Sequence, residues 1–177
     1  MRHHQALLIA SKVMDQLRPH CDRIEIAGSI RRGKPQVKDI EIIAIPKPYD
    51  IGLFESGIAT VVNQWPKVRG ELPCKYTQRM LPEGIALDLF FATPENWANI
   101  YTIRTGSAEW ISRVMASRWV SLGYHSKDGI LERDGEQVKV RTEEDLFALL
   151  GMSWVTPSMR ELPSNKNHSG PPADASS

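Results

Sequence analysis

Gly28-Ser29-Ile30-Arg31-Arg32-Gly33, followed by Asp39-Ile40-Glu41 at the head of the apolar run Ile42-Ile43-Ala44-Ile45, decides how this chain is read. A second apolar run, Ile85-Ala86-Leu87-Asp88-Leu89-Phe90-Phe91, carries one acid near its centre. Runs of this length read as buried or half-buried strands, where a carboxylate without a partner is costly. On a strand, Asp39 and Glu41 point to the same face, with Cα atoms about 6–7 Å apart. In the other strand Ile85, Leu87, Leu89 and Phe91 point one way, and Ala86, Asp88 and Phe90 the other. Laying the two strands side by side would gather three carboxylates, and such crowding raises a pKa unless metal compensates. Carboxylate oxygens suit Mg²⁺, which takes its remaining ligands from water and substrate phosphates. For the acid pair alone, a strand showing two acids to water is the competing reading.

Gly28-Ser29 follows a strand pattern and precedes a basic segment. Glycine lets backbone approach a phosphate closely, and N–H groups at a helix start aim partial positive charge at it. Ser29 offers a hydroxyl donor, and Arg32 can fork onto phosphate oxygens. A plain turn with exposed arginines explains this loop by itself. Loop and acids together point to phosphoryl or nucleotidyl transfer.

Composition sets the outer bounds. The 177 residues are 41% hydrophobic, enough for one ordinary core or two small lobes. No run reaches the ~18 apolar residues of a membrane span, and the N-terminus lacks the apolar core of a signal peptide. Cys21 and Cys74 have no ligand-like spacing and read as free thiols. The expected location is a bacterial or viral-host cytoplasm, with no membrane partner, as a monomer. Lys and Arg number 22 against 21 acids, a net charge of +1, which is not that of a protein gripping long nucleic acid unaided. Arg31, Arg32, Lys34 and Lys38 nevertheless concentrate beside the acid pair.

Helical spacing is expected over 5–18 and 51–64, the latter capped by Asp50, and over 95–104 and 107–122. Strands are expected over 24–27, 40–45, 74–80 and 85–91, the last two as a hairpin around Pro82-Glu83-Gly84. Asp128-Gly129 and Asp134-Gly135 bracket a further small hairpin, with its returning strand at 138–140. A final helix opens at Thr142 and ends near Gly151, and residues 162–177 read as a disordered tail. Trp97 and Trp119 are expected in the core, Trp110 is held open for base stacking, and Arg113 and Arg118 for a DNA backbone.

Gly-Ser-x-Arg-Arg-Gly, the acid pair, the lone Asp88, and then Arg104-Thr105-Gly106-Ser107 resemble the family X DNA polymerases, the polymerase-beta-like branch of the nucleotidyltransferase superfamily. Asp145-Leu146-Phe147 through Leu150-Gly151, with Trp154, Pro157, Arg160 and Glu161, is similar to that family's thumb signature. The resemblance implies an α+β fold: an N-terminal helix over 1–19, a nucleotidyltransferase palm of mixed sheet and flanking helices over 20–93, and a small α+β thumb over 94–161. It also implies Asp39, Glu41 and Asp88 as catalytic ligands of two Mg²⁺ ions, replaceable by Mn²⁺. Gly28, Ser29 and Arg32 would hold the β and γ phosphates, and Thr105 and Gly106 would lie at the nucleotide's sugar. The implied activity is addition of dNTPs to a primer 3′-hydroxyl in short gaps, on primer/template or gapped DNA. Glu41 stands where the family usually has Asp, Ile103-Arg104 where close relatives of polymerase beta carry an aromatic pair, and Ala86 where a basic residue is common. The residues before the palm are too few for the lyase and fingers domains, so lyase activity is not expected. The alternatives are a template-independent nucleotidyltransferase, acting with dNTP or NTP on nucleic acid, a small molecule or a protein, and a catalytically silent nucleic-acid-binding module.

Overall fold

The apolar runs around the acids form the centre of a five-stranded mixed sheet. The computed structural model describes residues 1–48 and 57–163. Helix α1 (His3–Leu17) is followed by β1 (Cys21–Ile26), the one-turn α2 (Gly28–Arg31) and β2 (Asp39–Pro46). Then come α3 (Ile58–Val62), β3 (Lys67–Arg69), β4 (Tyr76–Met80) and β5 (Ala86–Phe91). The sheet order is β1-β2-β5-β4-β3. Strands β2 and β5 run parallel, and the other neighbours are antiparallel.

Both faces of this sheet are covered, unequally. Ile40, Ile42 and Ala44 of β2 and Leu87 and Leu89 of β5 pack with Ala6, Val13 and Leu17 of α1 in one core. The alternate residues, Ile43, Ile45 and Phe90, pack with Trp97 on the opposite face. That second face is apolar at one end and carries Asp39, Glu41 and Asp88 at the other. Strand β2 begins one residue earlier than expected, so Asp39 lies inside the ladder. Of the helix expected over 51–64, residues 57–64 are described and form α3 over Ile58–Val62, while its Asp50 cap and residues 51–56 lie outside the described residues, as does all but the start of the expected tail.

Beyond β5, α4 (Trp97–Thr105) leads into α5 (Ala108–Trp110), a π-type turn over Ile111–Ala116 and α6 (Ser117–Ser121). A three-stranded antiparallel sheet follows, of β6 (His125–Lys127), β7 (Ile130–Arg133) and β8 (Glu136–Val138), and then α7 (Glu143–Leu149). Asp128 and Asp134 hold positive φ of 51° and 56° ahead of their glycines, as two-residue hairpin turns require. The returning strand is therefore 136–138 and not 138–140: the tight turn at Asp134-Gly135 sets Glu136 opposite Arg133. Val140 is buried beyond the strand end, in a second core with Trp110, Met115, Trp119 and Phe147. Thr142 caps α7 and Asp145 reciprocates, completing a capping box.

Trp110 corrects an expectation. It is 4% exposed and lies along Phe147 with ring centroids 6.3 Å apart, so its face is spent on the core and not open to a base. Trp97 and Trp119 are buried as expected. Arg113 pairs with Glu109 one turn away, and Arg118 donates to the Leu150 carbonyl at the end of α7. Cys21 and Cys74 are not joined in a disulfide. No helix among the described residues is long and apolar enough to cross a membrane.

Candidate active site

Parallel pairing of β2 with β5 places Glu41 directly opposite Asp88, and Asp39 opposite Ala86. Register partners on neighbouring strands point to the same side, and Asp39 is two residues from Glu41, so all three carboxylates share one face. Asp39 and Glu41 both feel the Asp88 charge. Burial raises the Asp39 pKa, and the Asp88 charge adds to it. Burial raises that of Glu41 to about 7, helped by Asp39 and Asp88 and opposed by Arg32 and Arg104. Among the described residues no group of three or more His, Cys, Asp or Glu side chains is gathered closely enough to hold a metal ion as placed. The trio is thus a set of separate, mutually repelling carboxylates, a donor set whose crowding a divalent cation would relieve.

Asp88 is oriented from the neighbouring strand. Tyr76 Oη donates to its Oδ1 at 2.7 Å and Gln78 Nε2 to the same oxygen at 2.8 Å. Tyr76 stands across from Phe90 and Gln78 across from Asp88, so both reach along the carboxylate face. Tyr76 also stacks on Phe90 with centroids 4.9 Å apart. Burial, and its bond to Asp88, push the phenol up to about 12, so it stays a donor.

The Gly-Ser turn abuts these acids. The Ala27 N–H donates to the Glu41 carbonyl at 2.9 Å, tying the turn to β2. Gly28 has φ +60°, and a Cβ there would overlap the Glu41 carboxyl group, lying 2.6 Å from Cδ. Only glycine suits both the conformation and the close approach. Gly28→Ala is expected to lower stability by about 1–3 kcal/mol in urea unfolding, through backbone strain and displacement of Glu41. Ser29 Oγ is buried without a hydrogen-bond partner, an orphaned donor beside the acid face.

The arginines of the turn have partners far along the chain. Arg31 forks onto Glu143 at 2.9 and 2.6 Å, donates to Thr105 Oγ1 at 2.7 Å and lies 3.8 Å over the Tyr101 ring. Glu143 also accepts from Arg160 at 2.6 Å and from Thr102 at 3.1 Å. Arg32 donates through Nε to Glu161 and through Nη1 to the Thr105 carbonyl, both at 2.8 Å. Lys34 donates to the other Glu161 oxygen at 2.6 Å.

Of the residues expected to bind nucleotide, Gly28, Ser29 and Arg32 thus border the carboxylate face. Thr105 is fully buried, its hydroxyl donating to the Tyr101 carbonyl while accepting from Arg31. Gly106 is packed so that a Cβ would lie 2.8 Å from Trp110 and Ile111 atoms. These two build the joint between α4 and the second core and present no side chain to a ligand. Sequence reasoning missed the partners Glu143 and Glu161, which lie 112 and 129 residues from their arginines with no local signal. It also missed that exposed Arg104 lies 4.1 Å over Phe90, within electrostatic range of Glu41.

Comparison with known proteins bears on both lobes. Residues 103–161 match the family model described as DNA polymerase beta thumb. Among solved structures, the chain is similar to Leishmania infantum polymerase beta in a ternary P/T complex, with a TM-score of 0.70 and 18% identity over 90% of this chain and 76% of that one. No curated protein matches it in sequence. The chain thus has a polymerase-beta-like α+β fold over most of its length, and residues 103–161 match a polymerase beta thumb.

Proposed function

We propose that the protein is a DNA polymerase that extends a primer 3′-hydroxyl with dNTPs across short gaps, with residues 20–93 as palm and 94–161 as thumb. The observation that carries this reading is Glu41 facing Asp88 across parallel strands, with Asp39 on the same face and the Gly28-Ser29 turn against it. One solved structure to which the chain is similar holds polymerase beta in a ternary P/T complex, which supports primer/template and nucleotide as partners.

Asp39, Glu41 and Asp88 would hold two Mg²⁺ ions. When bound, these would neutralise phosphate charge and lower the pKa of the attacking hydroxyl. The chain's own groups do the positioning. Ser29 Oγ and the Gly28 backbone take phosphate oxygens, with Arg32 beside them. Tyr76 and Gln78 both bond Asp88 Oδ1, which fixes the carboxylate plane and leaves Oδ2 for a cation. The primer oxygen displaces pyrophosphate in line, and the rate arises from orientation and charge neutralisation without a covalent intermediate.

Because Tyr76 orients a ligand without touching substrate, Tyr76→Phe is expected to lower kcat about tenfold while leaving KM nearly unchanged. Single-nucleotide incorporation under steady-state conditions reads this split. The reading as a whole is tested with gapped and single-stranded primers, each nucleotide offered separately. Incorporation restricted to the templated nucleotide supports it. Template-blind incorporation favours the second reading, a tailing nucleotidyltransferase, for which the net charge of +1 is the supporting observation.

A further inference from the structure

Two cations of the Gly-Ser turn share a single carboxylate. Arg32 Nε bonds Glu161 Oε1 at 2.8 Å and Lys34 Nζ bonds Oε2 at 2.6 Å, so the two oxygens of one group are divided between two donors. A phosphate group offers paired oxygens in the same manner, to the fork of an arginine or the point charge of a lysine. Arg32 is also electrostatically coupled to Asp39 and Glu41, which puts this pair of cations at the edge of the carboxylate face. Ser29, whose buried hydroxyl has no partner, begins the same loop and accepts from the Lys34 N–H through its carbonyl at 3.0 Å.

Glu161 itself is placed for exchange. Its neighbour Arg160 is fully buried, held by Glu143, and its carbonyl accepts from the Ser107 N–H, so the backbone here is anchored. The Glu161 side chain is 27% exposed and that of Lys34 42%. Arg32 keeps a second tie to the Thr105 carbonyl, which would hold its guanidinium in place with Glu161 gone. Release therefore needs only rotation of one glutamate side chain.

We propose that Arg32 and Lys34 together form an anion subsite for the terminal phosphates of a polyphosphate ligand, and that Glu161 is its resident counter-ion, exchanged for those phosphates on binding. This rests on the nucleotide reading of the site and extends it to two residues with no assigned role, Lys34 and Glu161. Glu161 competes with the ligand, so removing its charge strengthens binding; Lys34 contributes to binding, so removing its charge weakens it.

The test is calorimetric titration of the full chain with magnesium tripolyphosphate and with dTTP, for the parent protein, Glu161→Gln, Lys34→Gln and the double variant. Glu161→Gln is expected to bind tripolyphosphate about fivefold more tightly, the loss of two partly exposed pairs being modest. Lys34→Gln is expected to bind several-fold more weakly, and the gain from Glu161→Gln is expected to shrink in the Lys34→Gln background. Thermal unfolding of each variant, compared with the parent, reports on folding separately. Unchanged or weakened binding in Glu161→Gln overturns the exchange, with the nucleotide reading intact if dTTP still binds the parent. Binding of neither ligand by any of the four proteins overturns the exchange and the nucleotide reading together.

Discussion

Asp39→Ala and Asp88→Asn are each expected to reduce primer extension by about a thousandfold or more, with the fold retained. A ligand carboxylate stabilises several kcal/mol of transition-state charge through its cation, and each 1.36 kcal/mol is a factor of ten in rate. Folding responds in the opposite direction. Asp39 and Glu41 are held above their ordinary pKa values by burial first and by neighbouring acids second. Removing one charge from the trio relieves repulsion, so the variants are expected to match or exceed the parent in thermal stability at neutral pH without metal. Loss of extension accompanied by collapse of the folded state would point to a structural role for these acids. Retained extension in either variant would remove the assignment.

Glu143→Ala is expected to destabilise the protein by about 3–5 kcal/mol, since it strands the buried guanidinium of Arg160 and removes the carboxylate partner of the half-buried Arg31. Arg160 is 0% exposed, Glu143 6% and Arg31 17%, and Arg31 reaches Glu143 from α2, between β1 and β2. Glu143 therefore ties β-sheet loop, α7 and C-terminal segment at one point. Its pH dependence distinguishes this from simple packing. Burial alone would raise the Glu143 pKa, but the hydrogen bonds and charges of Arg31 and Arg160 outweigh it and hold the value at about 2. A depressed carboxylate contributes stability that is full above its unfolded value of 4.5 and is lost as pH falls toward about 2. The stability difference between the parent and Glu143→Gln is expected to shrink across that window, by on the order of 3 kcal/mol. Urea unfolding at intervals from pH 7 to 2.5 reads it; a difference that stays constant with pH would mean that the ion pairs contribute nothing net.

The acid face was legible because its signal is local. Apolar residues alternate around Asp39, Glu41 and Asp88, and strand geometry converts that alternation into a shared face. The hairpin of β4 and β5 was legible from its turn. Strand β3 was not: Lys67, Val68 and Arg69 are all exposed, so nothing but backbone pairing with β4 marks it as a strand. Trp110 stayed open in the sequence because an aromatic at the start of a helix reads alike whether it faces a base or Phe147. Both arginines drew attention as phosphate donors; Arg31 is a tie to Glu143, while the partners of Arg32, Glu161 and the Thr105 carbonyl, were not foreseen. Such pairings depend on where distant segments meet, and no local spacing encodes them.

On the proposed function, Asp39, Glu41 and Asp88 hold divalent cations together with a nucleotide. Electron paramagnetic resonance titration of Mn²⁺ into the full chain, with a non-hydrolysable dNTP analogue present, measures this without relying on turnover. Two Mn²⁺ ions bound per chain, with both affinity and stoichiometry falling in Asp88→Asn, is the expected result. Mn²⁺ binding that is absent, or that is indifferent to all three carboxylates, would contradict it.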